Sequence, residues 1–336
     1  MIRIILSWLK VEKKQLFWLL LLSVCLSLGA TLVQEQSARR WEEEQPQQIE
    51  SWYQSTRMEM HKDEISDWNN YIGSMLSDLG MLRVFWKNPK QNQELIVETE
   101  NAFYLKAVQD PAFCQRALEL DASELEQRIA LAQSYKQRGW KQPFNPLRAR
   151  ADYLVWEMDH SFSILLLIIL AICCLIGVWI WARMYESGSA RLMLALPYKK
   201  GQLFTAFLVL NLGLSFLFLA AVCGFLWLSG FSLCGNDPLL IVENGQILPC
   251  TQAVLQNLSY TVILTIMVSC LSMAVSMVVR FTSDSLILLT IILMALYFLF
   301  RPVSFFCQLP WWIWAMILIG IIGCIVLSRK KFEFEC

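Results

Sequence analysis

A chain of 336 residues with 56% hydrophobic side chains and a formal net charge of zero is too apolar for an ordinary soluble domain. Its neutrality gives no electrostatic footprint for nucleic acid. The apolar residues gather in runs of about 18 or more, the length that crosses a hydrocarbon core, so the chain reads as a polytopic membrane protein.

Residues 1–14 place Ile2, Ile5, Leu6 and Leu9 on one helical face, while Arg3, Lys10, Lys13 and Lys14 add positive charge. This pattern predicts an interfacial helix leading into the first span, residues 15–33. A basic start before an apolar run imitates a signal peptide. No A-x-A-like site follows it, so the segment reads as a retained anchor.

Residues 34–160 are polar, of mixed charge and too long for a simple connection. They predict a helical domain. Asp110-Pro111 is a helix cap followed by proline at the first helical position. Asp121 to Glu124 resembles a capping box with Asp in place of Ser or Thr. Asn145-Pro146 starts a further helix that nothing obvious breaks before the second span, residues 161–182, ends. Over residues 146–181 such a helix would be about 50 Å long, against a core of about 30 Å. The second span is therefore expected to leave the membrane as a stalk, and the first to do the same up to Pro46. Trp41, Trp52, Tyr53, Trp68, Tyr71, Phe85, Trp86, Phe103, Tyr104 and Trp140 are many aromatics for a polar domain. They form either its small core or a surface for an apolar ligand.

The loop at 183–201 carries Arg183, Arg191, Lys199 and Lys200. Between its charged ends, Ala190 to Leu196 is apolar apart from Arg191, and Pro197 stops it. A short helix at the membrane surface fits, with Glu186 and Ser187 at its positive end. A plain basic turn between two spans fits the composition equally well.

Residues 202–328 hold four more spans, at about 203–228, 260–279, 285–300 and 311–327. The connection at 229–252 has Asp237 and Glu243 and no Lys or Arg. Cys234 and Cys250 bracket it. They are either two free thiols or, in an oxidising compartment, a disulfide that would constrain the unfolded loop by about 3 kcal/mol. In the fourth span Thr261, Thr265, Ser269, Ser272 and Ser276 fall on one helical face. Such a stripe lines a polar path or, more commonly, lets helices approach and bond across. Arg280 to Asp284 reads as a tight turn. Arg329, Lys330 and Lys331 open a basic tail at 329–336.

The basic residues set the expected topology. With six spans, the basic-rich short segments all fall on one side, which places both termini in the cytoplasm and the domain at 34–160 outside. The expected fold is thus an all-α membrane protein of six transmembrane helices, with a large helical extracellular domain between spans one and two.

Several chemistries lack their residues. There is no G-x-x-x-x-G-K-[ST], so no P-loop. His61 and His160 are far apart and belong to no H-E-x-x-H. No serine sits in a nucleophile elbow. Asp and Glu are nearly absent from the spans, which argues against ion-coupled transport and against an intramembrane enzyme. No cofactor is expected in this chain.

The loop after span two nevertheless resembles that of ABC-2-type transporter permeases. There it reads E-x-G-T, an apolar helix ending L-x-L-P, and a basic segment. Glu186, Gly188, Leu194, Leu196 and Pro197 match, with Ser189 in place of Thr. The lysine common early in the third span is missing, since Gln202, Thr205 and Ala206 occupy that region. The resemblance implies a cell-membrane permease subunit, of an exporter, that docks a separate ABC ATPase. The partner would bind ATP and magnesium. Residues 186–196 would be a coupling helix, with Arg191 a polar contact, and a second permease chain, alike or different, would complete the pathway among the membrane lipids. The alternative class is a membrane-anchored sensor, or an ATP-driven force transmitter, acting through its outer domain.

Overall fold

A computed structural model describes residues 12–60, 67–159, 163–186, 199–235, 237–243, 245–300 and 311–335. In chain order its helices are α1 (Lys13–Met58), α2 (Asp67–Phe85), α3 (Gln93–Ala107), α4 (Pro111–Phe113, running into a π-helical turn at Cys114–Leu118), α5 (Ala122–Arg138), α6 (Ala151–Asp159), α7 (Ile164–Glu186) and α8 (Lys200–Cys234). Strands β1 (Leu240–Glu243) and β2 (Gln246–Pro249) follow, then α9 (Cys250–Val279), α10 (Thr282–Phe300) and α11 (Trp311–Glu335). Among the described residues α1, α7, α8 and α9 are long and apolar enough to cross a membrane. The fold is that of a helical membrane protein, with one small hairpin among the described residues.

The chain divides into two compact units. The first takes Met1–Thr31, Leu154–Ser232 and Val254–Cys336, and the second Leu32–Tyr153 and Leu233–Ala253. The second unit is therefore completed by the connection after α8 and does not consist of residues 34–160 alone.

In the first unit the helices are pinned by small polar residues. Ser27 Oγ donates to the Val222 carbonyl at 3.1 Å, and Thr31 Oγ1 meets Ser229 Oγ at 2.8 Å. Both hydroxyls of α1 also bond within their own helix, Ser27 to the Ser23 carbonyl and Thr31 to the Ser27 carbonyl, each at 2.8 Å, so the contacts to α8 are added interhelical ties. Trp181 of α7 is fully buried and packs on Phe204 and Phe207 of α8, with ring centroids 5.6 and 5.9 Å away.

In the second unit the aromatics make a core. Trp52, Trp86, Phe103 and Tyr104 are buried, and Trp41, Tyr53, Trp68, Tyr71 and Phe85 pack against them. Trp52 stacks on Phe103 at 5.7 Å and donates its indole N–H to the Leu118 carbonyl at 3.0 Å. Trp140 is the exception, lining a cavity of the same unit.

Several boundary expectations are corrected. Pro46 does not end α1, which continues to Met58. An interior proline costs about 3 kcal/mol, but Ile49 and Trp52 beyond it are buried, each contributing about 1.5–3 kcal/mol. No helix starts at Pro146. Asn145 is buried, its Oδ1 accepts from the Leu147 N–H at 2.9 Å, and its Nδ2 donates to the Ala38 carbonyl at 3.0 Å. The side chain thus closes a turn against α1 instead of capping a helix. The expected second stalk is not one helix either, because α6 and α7 are separate elements. Ser163 starts α7, its Oγ accepting from the Leu166 N–H at 3.1 Å as an N-cap does.

Asp110 does cap α4, accepting from the Phe113 N–H at 3.0 Å. The box at Asp121 does not close. Ser123 takes the Asp121 carboxylate at 3.0 Å, and Glu124 pairs with Arg128 at 2.7 Å. The connection at 229–252 shortens, because α8 runs to Cys234 and α9 begins at Cys250. It forms an antiparallel hairpin with Glu243 opposite Gln246, and Gly245 there has φ of 73°. The dipeptide Asn244-Gly245 is a legible hairpin signal.

Candidate functional site

Glu186 is the last residue of α7. Its carboxylate reaches the start of α10, where Oε1 accepts from the Thr282 N–H at 2.6 Å and Oε2 accepts from the Thr282 hydroxyl at 2.5 Å. A helix start has unsatisfied N–H groups and a positive dipole end. The anion therefore caps α10 from another helix, and Asp284 adds a second carboxylate in that first turn. The turn that brings Thr282 there is shorter than the sequence implied. Helix α9 ends at Val279, Arg280 adopts φ of 67°, and α10 begins two residues later.

Of the residues matched to the coupling helix, Glu186 alone is described. Gly188, Arg191, Leu194, Leu196 and Pro197 lie outside the described residues. Lys199 and Lys200, which follow them, are exposed. Sequence reasoning misses the partner of Glu186. The signal is the run Thr282-Ser283-Asp284, a helix-start composition that reads equally as part of a turn.

The hydroxyl stripe lies within the first unit. Thr261, Thr265, Ser269, Ser272 and Ser276 of α9 are all buried. Ser269 Oγ donates to Ser215 Oγ of α8 at 3.0 Å, and Asn211 Nδ2 of α8 donates to the Ser269 carbonyl at 3.1 Å. On the other side Gly177 of α7 approaches so closely that a Cβ there would overlap Ser272 Oγ and lie 2.8 Å from its Cβ. The stripe is thus a seam among α7, α8 and α9. Asn211 Oδ1 and Ser276 Oγ are buried there without a hydrogen-bond partner.

Cys234 is half-buried and Cys250 buried, and both are free thiols. The Cys250 N–H donates to the Leu239 carbonyl at 2.8 Å, which fixes the start of α9 beside the hairpin. Among the described residues no group of three His, Cys, Asp or Glu side chains could hold a metal ion.

These features describe a membrane unit with polar interhelical seams and a carboxylate joining two helix ends. No curated protein and no solved structure matches the chain. A family model described as ABC-2 family transporter protein matches residues 10–309. The chain belongs to that family and is an ABC transporter permease.

Proposed function

We propose that this permease is the membrane subunit of an exporter, driven by a separate ABC ATPase that docks on residues 186–196. The observation that carries the reading is the double hydrogen bond from Thr282 to Glu186. A push received by the segment after Glu186 reaches α7 through the chain and α10 through the carboxylate, so both helices shift as one body.

In this reading α10 and α11 are the fifth and sixth spans, and both termini are cytoplasmic. The basic residues of the 183–201 loop and of residues 329–331 support that orientation. The second unit then faces the outside. Two permease chains form one pathway, and the partner ATPase binds ATP and magnesium.

The test is a mild-detergent pull-down of the tagged chain from its native membrane, followed by mass spectrometry. A stoichiometric partner carrying a P-loop is expected. Recovery of the chain alone, or with a kinase, would overturn the assignment.

A further inference from the structure

The second unit contains a cavity of about 1030 Å³ between α3 and the C-terminal half of α5, flanked by residues 140–144, Arg150, Asp237 and Pro238. Its size is at the upper end for small-molecule sites, about 300–1,000 Å³. Val97, Leu105, Trp140 and Phe144 give it an apolar and aromatic wall. Leu105 is 50% exposed, so this part of the wall is open to an apolar ligand.

The charges in the lining are unequal in kind. Glu94 and Lys141 neutralise each other at 2.5 Å. Glu98, Lys136 and Asp237 are exposed, so water and salt screen them. Arg150 is different. It is only partly exposed, and its Nε is buried without a hydrogen-bond partner. Its near neighbour Arg148 is paired with Glu42 at 3.2 Å. Arg150 makes no ion pair with a described residue. Nε itself is closed off, so the part of this lining side chain that remains for a ligand is its terminal N–H pair, a planar, permanently charged receptor for a carboxylate.

We propose that this cavity binds a small organic anion, one carboxylate carried on an apolar, ring-sized body, with Arg150 as the anchor for the carboxylate. The apolar body lies on Trp140 and Phe144. A polyanion is not favoured, because Arg150 is the sole cation of the described lining that is neither paired nor fully exposed. The proposal stands on the second unit alone and is independent of the transport reading.

The experiment uses the full chain in lipid nanodiscs, which avoids detergent in the cavity. Binding of naphthoate is compared with that of naphthamide, which keeps the ring system and loses the charge, by saturation-transfer NMR and calorimetry. Naphthoate is expected to bind about tenfold or more tightly than the amide, as a charge-assisted hydrogen bond allows. Arg150→Gln is expected to erase that preference. Ala102→Trp, which fills the cavity from α3, is expected to weaken both probes, with helical content unchanged by circular dichroism. Equal binding of the two probes, no naphthoate binding up to millimolar concentration, or binding untouched by either variant would overturn the proposal.

Discussion

One carboxylate, that of Glu186, ends α7 and caps α10 by holding both the backbone N–H and the hydroxyl of Thr282, at 2.6 and 2.5 Å. The two residues are 96 positions apart in sequence. Neither helix has another carboxylate bonded to both groups of one residue in this way among the described bonds. Glu186→Gln keeps an acceptor but removes the charge, and Thr282→Val removes the hydroxyl. Both variants are expected to insert normally and to exchange amide hydrogens faster in the first turn of α10. With the partner ATPase present, both should hydrolyse ATP with less transport per turnover. Hydrogen exchange read by mass spectrometry in nanodiscs checks the structural half. Unchanged exchange in both variants would mean that α10 does not depend on the contact.

Gly177 is required by a close approach. A Cβ at that position would meet both Ser272 Oγ and Ser272 Cβ, so rotating the serine cannot relieve the clash. Gly177→Ala is expected to destabilise the first unit by about 1–3 kcal/mol, the usual penalty of overpacking. Ser272→Gly added to it should restore the thermal midpoint, whereas Ser272→Ala should restore little, because its Cβ remains. A Gly177→Ala midpoint equal to wild type would show that α7 and α9 are not in contact there.

The contrast between helix interiors and helix ends explains what the sequence reveals here. Apolar runs mark α7, α8 and α9 because burial in lipid needs about 20 apolar residues whatever the neighbours are. Ends depend on which polar group arrives from elsewhere. Asn145 reads as a cap from its neighbour Pro146, but its bonds run to Ala38 and Leu147. Pro46 reads as a stop, yet the buried Ile49 and Trp52 carry the helix past it. The role of Glu186 depends on a residue in another helix, which periodicity cannot report. The hydroxyl stripe is legible as a face, but its neighbours Gly177 and Ser215 are not.

Glu100 gives the second unit a pH dependence. Burial raises its carboxyl from 4.5 to about 7, against the pull of the Arg128 guanidinium. Arg128 itself is held by Glu124 and the Tyr104 hydroxyl. The native state therefore keeps a proton that the unfolded chain releases between pH 4.5 and 7. The stabilisation is complete below 4.5 and is lost as pH rises through 7. A tenfold difference in proton affinity between the folded and unfolded chain is worth about 1.4 kcal/mol. Wild type should lose thermal stability between pH 5 and pH 8, while Glu100→Gln, which mimics the protonated form, should lose less. Parallel melting curves for the two proteins across that range would refute the buried carboxyl.

Packing and pathway make opposite demands on the stripe of α9. Thr265, Ser269 and Ser272 are fully buried within one protomer. Ser269 is bonded to α8 and Ser272 is pressed by α7. A hydroxyl that serves as an interhelical bond is worth about 0.6–2 kcal/mol in a membrane and leaves no room for solute. Single cysteines at Thr265 and Ser272, in a chain whose native cysteines are replaced, should therefore resist a membrane-impermeant thiol reagent from either side of the bilayer. That resistance should persist when the partner ATPase is held in its ATP-bound state. Labelling that appears with ATP would mean that the seam opens during the cycle, and the stripe would then belong to the substrate path. Ser215→Ala supplies the control, since it removes one bond of the seam. Its stability should fall by about 1 kcal/mol, while the cysteines remain unlabelled.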